Sequence, residues 1–220
     1  MVDPQIPAWA ARVLGADGRE RIEAAIAEAE SRTSGEIVPL LVRRSATVGH
    51  VAPLVFCLAL IAALVVDLPG WLGELGGHEL VWVAVSWLLA AGLAVALSRL
   101  DLVQRALTSQ PDEIRQVDQR ARLEFHELEI GRTEQRTGVL LMVSLMERRA
   151  VVLADRAIAE RLAPEIWGEV IDLMVAGARA GDVANGLSRA VLRCGELLVS
   201  HFPIAPGDAN ELRNHLAIKE

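Results

Sequence analysis

Apolar and polar positions alternate along this chain in two distinct ways: in some stretches they make one apolar face, and in two stretches there is no polar face at all. In residues 17–30, Ile22, Ala25, Ile26 and Ala29 recur at helical spacing. Asp17, with Glu20 three residues on, reads as a capping box, so a helix is expected there. Residues 36–43 (EIVPLLVR) have strand composition, with Pro39 better suited to an edge or a bulge than to a central position. Residues 51–66 and 80–98 then contain no Asp, Glu, Lys or Arg. The second run is 19 residues long, close to the roughly 20 that a helix needs to cross a bilayer. The first stays uncharged back through Ser45, with His50 as its one polar burden. Between them, residues 67–79 hold Pro69 and several glycines, which force a turn. The pair predicts a transmembrane hairpin. Buried helices of a soluble α/β protein are the alternative, and two neighbouring runs that are hydrophobic on every face argue against it.

After the second run the one-sided pattern returns. Residues 112–130 place Ile114, Val117, Ala121, Phe125 and Leu128 at helical spacing behind Pro111, with Asp112 and Glu113 in the first turn. Residues 138–146 and 150–154 are apolar runs separated by Glu147, Arg148 and Arg149, which suits a hairpin whose first strand is central. A helical turn follows Asp155. A helix begins at Pro164 with Trp167, Val170, Ile171 and Met174 inward and stops at Gly181. Asp182 caps the last helix, whose broad face holds Val183, Leu187, Ala190, Val191, Cys194, Leu197 and Leu198. The order predicts an α/β fold: a small mixed β-sheet flanked by helices, interrupted by a two-helix transmembrane hairpin. Residues 1–44 form its first part, 45–98 the hairpin and 99–220 the remainder.

Charge and cysteine content narrow the function classes. The chain has 22 basic and 29 acidic side chains and a net charge of −7, so no basic field is available to attract nucleic acid. Arg43 and Arg44 precede the first apolar run, Arg99 and Arg105 follow the second, and the loop between carries none. The positive-inside rule then places both termini in the cytoplasm, with two spans and the lipid bilayer as the first partner. Residues 1–10 have neither a basic start nor an apolar core, so no secretory signal is expected. Cys57 and Cys194 lie in unrelated contexts, each reading as a packing residue.

Little chemistry shows in the motifs. The only lysine is Lys219, which excludes a Walker A loop and an internal Schiff-base lysine. There is no HExxH, CxxC or GxGxxG. Ser188 sits in a near-match to a nucleophile elbow, but inside an expected helix. Cys194 has no nearby arginine with which to hold a phosphate. The best candidate site pairs Glu36 with Asp155. If the strand ending at Ala154 runs antiparallel to the one beginning at Glu36, both carboxylates fall at one edge of the sheet, where Ca²⁺ or Mg²⁺ could find oxygen ligands. The alternative is that both cap neighbouring elements. His201 and His215 could approach each other if the tail folds back; otherwise Phe202, Pro203 and Leu216 pin the tail while Asn210, Asn214 and His215 satisfy backbone groups. His126 is expected on a solvated helix face. Trp71 and Trp82 suit interfacial anchoring, and Trp87 is expected to pack.

Three strings stand together: TSGEIV at 33–38, RTGVLLMVS at 136–144 followed by ERRAVVLAD at 147–155, and HFP…NELRNHL from His201 to Leu216. With the element order, the chain resembles the TPM domain family, named from plant thylakoid, photosystem-associated and animal receptor-modulator members. The resemblance covers residues 17–216 around the inserted hairpin. It implies an α/β sandwich with a four-stranded sheet, in members that are often membrane-attached. It implies acid phosphatase activity in some, divalent cation binding in others, and assembly or repair of membrane complexes in others again. Where longer exported members carry a glycine-rich stretch after the third strand, this chain has LADRAIAERL at 153–162. It looks like a compact bacterial branch. The expected function is therefore an interaction or assembly module at the bacterial inner membrane, binding a membrane protein or a second copy of itself. The alternative is a divalent-metal-dependent phosphatase-like enzyme.

Overall fold

The computed structural model describes residues 6–45, 51–74, 78–100, 103, 110–204, 208 and 210–220. The chain divides into two compact units, one made of Met1–Ser45 with Arg115–Glu220, the other of Ala46–Ile114. In chain order the elements are α1 (Ala8–Leu14), α2 (Gly18–Glu30), β1 (Glu36–Val42), α3 (Val51–Val65), α4 (Leu68–Gly73), α5 (Glu79–Ser98) and α6 (Gln110–Glu127). They continue with β2 (Gly138–Ser144), β3 (Arg149–Ala154), α7 (Arg156–Ala159), α8 (Gly168–Ala180), α9 (Val183–Val199) and β4 (Ala217–Lys219).

The first unit is a mixed α/β fold. Its sheet has four strands in the order β3-β2-β1-β4. β1 runs parallel to β2, with Glu36 opposite Gly138, and parallel to β4, while β2 and β3 form the expected antiparallel hairpin. Side chains alternate across the sheet. Ile37, Leu41, Val139, Leu141 and Val143 face α2, α8 and α9 in one apolar core; Val38, Leu40, Val42, Leu140 and Met142 face Val117 and Ala121 of α6 in the other. With apolar residues on both faces, β1 and β2 are buried along their whole length.

Pro39 is compatible with an interior strand because β4 is short. The β4 pairing reaches only Leu40–Val42, and the nitrogen of residue 39 points away from β2, just below the first paired residue. Two expectations need correction. Asp17 precedes α2 but its side chain makes no capping hydrogen bond, because its backbone is not in the extended conformation that aims a cap at the first turn. Ile114 is exposed, because the part of α6 that is buried against the sheet begins one turn later, at Val117. Asp182 does cap α9, accepting from the Asn185 N–H at 3.2 Å. Gly181, at φ 74°, ends α8 in the left-handed region open to glycine.

In the second unit, α3 and α5 pack antiparallel: Val55 near the start of α3 meets Ala94 near the end of α5. Among the described residues one helix is long and apolar enough to cross a membrane, Leu80–Ser98, with mean hydropathy 2.3 and only 17% of it buried. Among the described residues the first apolar run does not pass the same length test. α3 has 15 residues, about 22 Å at 1.5 Å per residue, against a hydrocarbon core of about 30 Å. It stops at Val65, the chain turns through Asp67, which has φ 52°, and it restarts as the short α4. Trp87, expected to pack, is 56% exposed, and Trp71 is exposed too. His50 and Arg105 lie outside the described residues.

Candidate functional site

An acidic pocket forms at the N-terminal end of β1, where the end of α2 meets the tail that leads to β4. Its volume is about 250 Å³, and Glu30, Thr33, Glu36, Asp208, Asn210 and Asn214 line it. Glu30 is delivered there by helix periodicity, because it falls four residues after Ile26 and so continues the inward stripe. Its Oε1 accepts the Ile37 N–H at 2.8 Å, while Oε2 is buried with no hydrogen-bond partner among the described residues. Burial raises the Glu30 carboxyl to about 8, and the nearby Glu36 charge adds to this; the Ile37 N–H and the Asn214 side chain oppose it. Glu36 accepts the backbone N–H groups of Glu211 (3.0 Å) and Leu212 (3.2 Å), which ties the tail to the strand. Burial raises this carboxyl as well, those two N–H groups lower it, and the charges of Glu211 and Asp208 raise it further.

The tail is held at a second point. Thr33 donates its hydroxyl to the Phe202 carbonyl at 2.6 Å and accepts the Gly35 N–H, while the Ser34 N–H also donates to Phe202. Phe202 and Leu216 are buried, as the pinned-tail reading expects. Asn210 and Asn214 bond to each other rather than to backbone groups. His201 bonds to Ser200 and His215 to the Arg213 carbonyl, so the two histidines have separate local partners.

Asp155 lies at the same end of the sheet as Glu36, and β3 does run antiparallel to β1. β2 stands between them, however, and two strand spacings separate the backbones by about 10 Å. Asp155 lines a different pocket of about 580 Å³, with Phe125, His126, Arg132 and Arg136. Its Oδ1 accepts the Arg156 N–H at 2.7 Å, capping α7, and its Oδ2 is buried with no hydrogen-bond partner among the described residues. Among the described residues no group of three or more His, Cys, Asp or Glu is gathered in metal-binding geometry. Cys194 is buried in the core, where desolvation raises its thiol, and Ser188 donates to the Ala184 carbonyl within α9.

Residue-level reading of the sequence missed Glu30 because acidic residues on a surface helix are ordinary. The available signal was its position on the apolar stripe of α2. Asp208 and the asparagines belong to an aperiodic tail whose partner lies far away in sequence.

Comparison with known proteins finds a TPM domain at residues 102–197. A comparison with curated proteins gives no match. Among solved structures, the NMR structure of the BA42 protein from the psychrophilic bacterium Bizionia argentinensis is similar, with a TM-score of 0.57 and 20% sequence identity over 99% of each chain. That likeness concerns the fold.

Proposed function

We propose that this chain is an integral protein of a bacterial inner membrane whose α/β unit is an interaction or assembly module for a membrane complex. The observation that carries the reading is the exposure of α5. Leu80, Val81, Trp87, Leu88, Leu89, Leu93 and Val95 are all exposed, a continuous apolar surface that water would penalise and lipid would not. Ser86 does not spoil that surface, since it is buried and donates to the Trp82 carbonyl in the preceding turn. α3 serves as a second, shorter span that local thinning of the bilayer accommodates. The pair returns the chain to the side it left, and the arginines flanking the insert put both termini in the cytoplasm. Crosslinking in native membranes, read by mass spectrometry, tests the module. Links from the α/β unit to a membrane protein or to a second copy are expected; links confined to single chains would contradict it.

A second reading, a divalent-cation-dependent phosphatase-like activity, is favoured by the orphaned Glu30 oxygen beside Glu36. The donors suit a hard cation, because the pocket offers carboxylate and amide oxygens and, among the described residues, no lysine or arginine lines it. Both Glu36 oxygens already accept backbone N–H groups, so a Mg²⁺ or Ca²⁺ ion here would have to be held largely through water, with Glu30 as the main charged donor. Asp155, in its separate pocket, stands outside this set. A bound cation would supply charge stabilisation for a phosphate ester. Calorimetry with Mg²⁺ and Ca²⁺ at neutral pH should give heat at millimolar ion with up to one proton released, since the ion displaces the proton of Glu30. No heat, or heat unchanged in Glu30→Gln, would retire this reading.

A further inference from the structure

We propose that β3 is a docking edge for a second copy of this chain, with the two β3 strands pairing antiparallel about Val152. The phase of the ladder decides which groups face outward. The Asp155 N–H donates to the Gly138 carbonyl, and the register sets Val139 opposite Ala154. Arg149, Val151 and Leu153 therefore turn their N–H and C=O groups toward β2. Ala150, Val152 and Ala154 turn theirs to the opposite side, where no described residue bonds to them. All six residues of β3 are half-buried while its neighbour β2 is wholly buried, as an open edge requires.

Edges of this length are normally blunted by proline, lysine, an inward charge or a bulge. β3 carries one charge, Arg149, and it stands at the first position of the strand. Residues 150–154 are uncharged and lack proline and glycine, and the register with β2 runs without interruption. The other edge, β4, is three residues long and carries Lys219.

The outward groups also select the occupant. One antiparallel register of an identical strand pairs all three outward residues at once, with Val152 opposite itself and Ala150 opposite Ala154. The same register brings Arg149 opposite Asp155 of the second copy at both ends, which is charge complementarity generated by the two-fold relation itself. Arg148 comes opposite Arg156, whose charge is already matched by its own Glu160 at 2.8 Å. An unrelated extended peptide would satisfy the backbone but has no reason to match these ends.

This inference rests on the interaction-module reading and names its partner. Its test is a register-specific disulfide in the full chain, in native membranes, with Cys57→Ala as background. Val151 and Leu153 of the two copies would form a non-hydrogen-bonded pair with Cα atoms about 4.5 Å apart, within disulfide reach. Like residues would be offset by two positions, about 8 Å apart, outside that reach. Membranes holding both a Val151→Cys copy and a Leu153→Cys copy should give, on oxidation, roughly tenfold more linked dimer than membranes holding either alone. Adding Val152→Pro to both copies should abolish the link, because it removes an outward N–H and no bond to β2. Absence of the mixed dimer, equal dimer in single-variant membranes, or a link that survives Val152→Pro in chains that still fold would overturn the proposal. The single-variant comparison stands even if the proline chain unfolds. Retention of the chain in washed membranes is independent of this result, so failure here is distinguishable from failure of the membrane reading.

Discussion

Glu30 is the residue on which the acidic pocket turns, and its raised carboxyl has a definite consequence for stability. Its folded value of about 8 lies above the ordinary 4.5, so the folded state holds the proton more tightly than the unfolded chain does. The stability this contributes is complete below about pH 4.5, falls as pH rises through the interval to about 8, and is then gone. At 1.36 kcal/mol per unit, and allowing for some solvent access, the loss is on the order of 2–4 kcal/mol. Glu30→Gln keeps the acceptor for the Ile37 N–H and removes the titration. The variant should therefore gain stability relative to the parent chain between pH 5 and pH 8, by about that amount. Thermal unfolding of the detergent-solubilised chain across this range measures it. Parallel pH profiles for the two proteins would show that Glu30 titrates normally.

At the scale of elements, the packing of α8 on α9 depends on two glycines. A Cβ on Gly177 would lie 2.6 Å from the Cα of Gly186, and one on Gly186 would lie 2.8 Å from the Cα of Gly177. Here the helix backbones themselves are in contact, with no flexible side chain to give way. Gly177→Ala should thus force the helices apart and cost about 1–3 kcal/mol, despite the better helix propensity of alanine. A drop in midpoint in denaturant unfolding is the check, and an unchanged or raised midpoint would mean that the crossing is looser.

Periodicity made most of the elements legible. The stripes of α2, α8 and α9, the β2–β3 hairpin and the stop at Gly181 all follow from local residue patterns, since apolar spacing reports burial directly. β4 was not legible from its own residues: a three-residue strand carries no period, and it is a strand only because Leu40–Val42 offers a ladder. The capping role of Asp17 was read from spacing alone and failed on backbone geometry, which spacing does not contain. For the site, Glu36 was found because it opens a strand. Its pairing with Asp155 followed the correct strand direction but could not know that β2 would come between them. Glu30, Asp208 and Asn214 come together only when the tail closes on α2, a contact across most of the chain length.

At the scale of the whole molecule, we propose that the apolar segment around α3 and α5 is held in lipid while the flanking sequence builds one α/β unit. β1, on one side of the insert, pairs along its full length with β2 on the other, so that unit cannot fold from either flank alone. Severing the chain within residues 67–79 should leave two fragments that still copurify from membranes, whereas neither expressed alone should give a cooperative unfolding transition. The most direct measurement is the partition of the intact chain when membranes from expressing cells are washed with alkaline carbonate. It should stay with the lipid pellet and be released only by detergent. Recovery of the folded chain in the carbonate supernatant would contradict it.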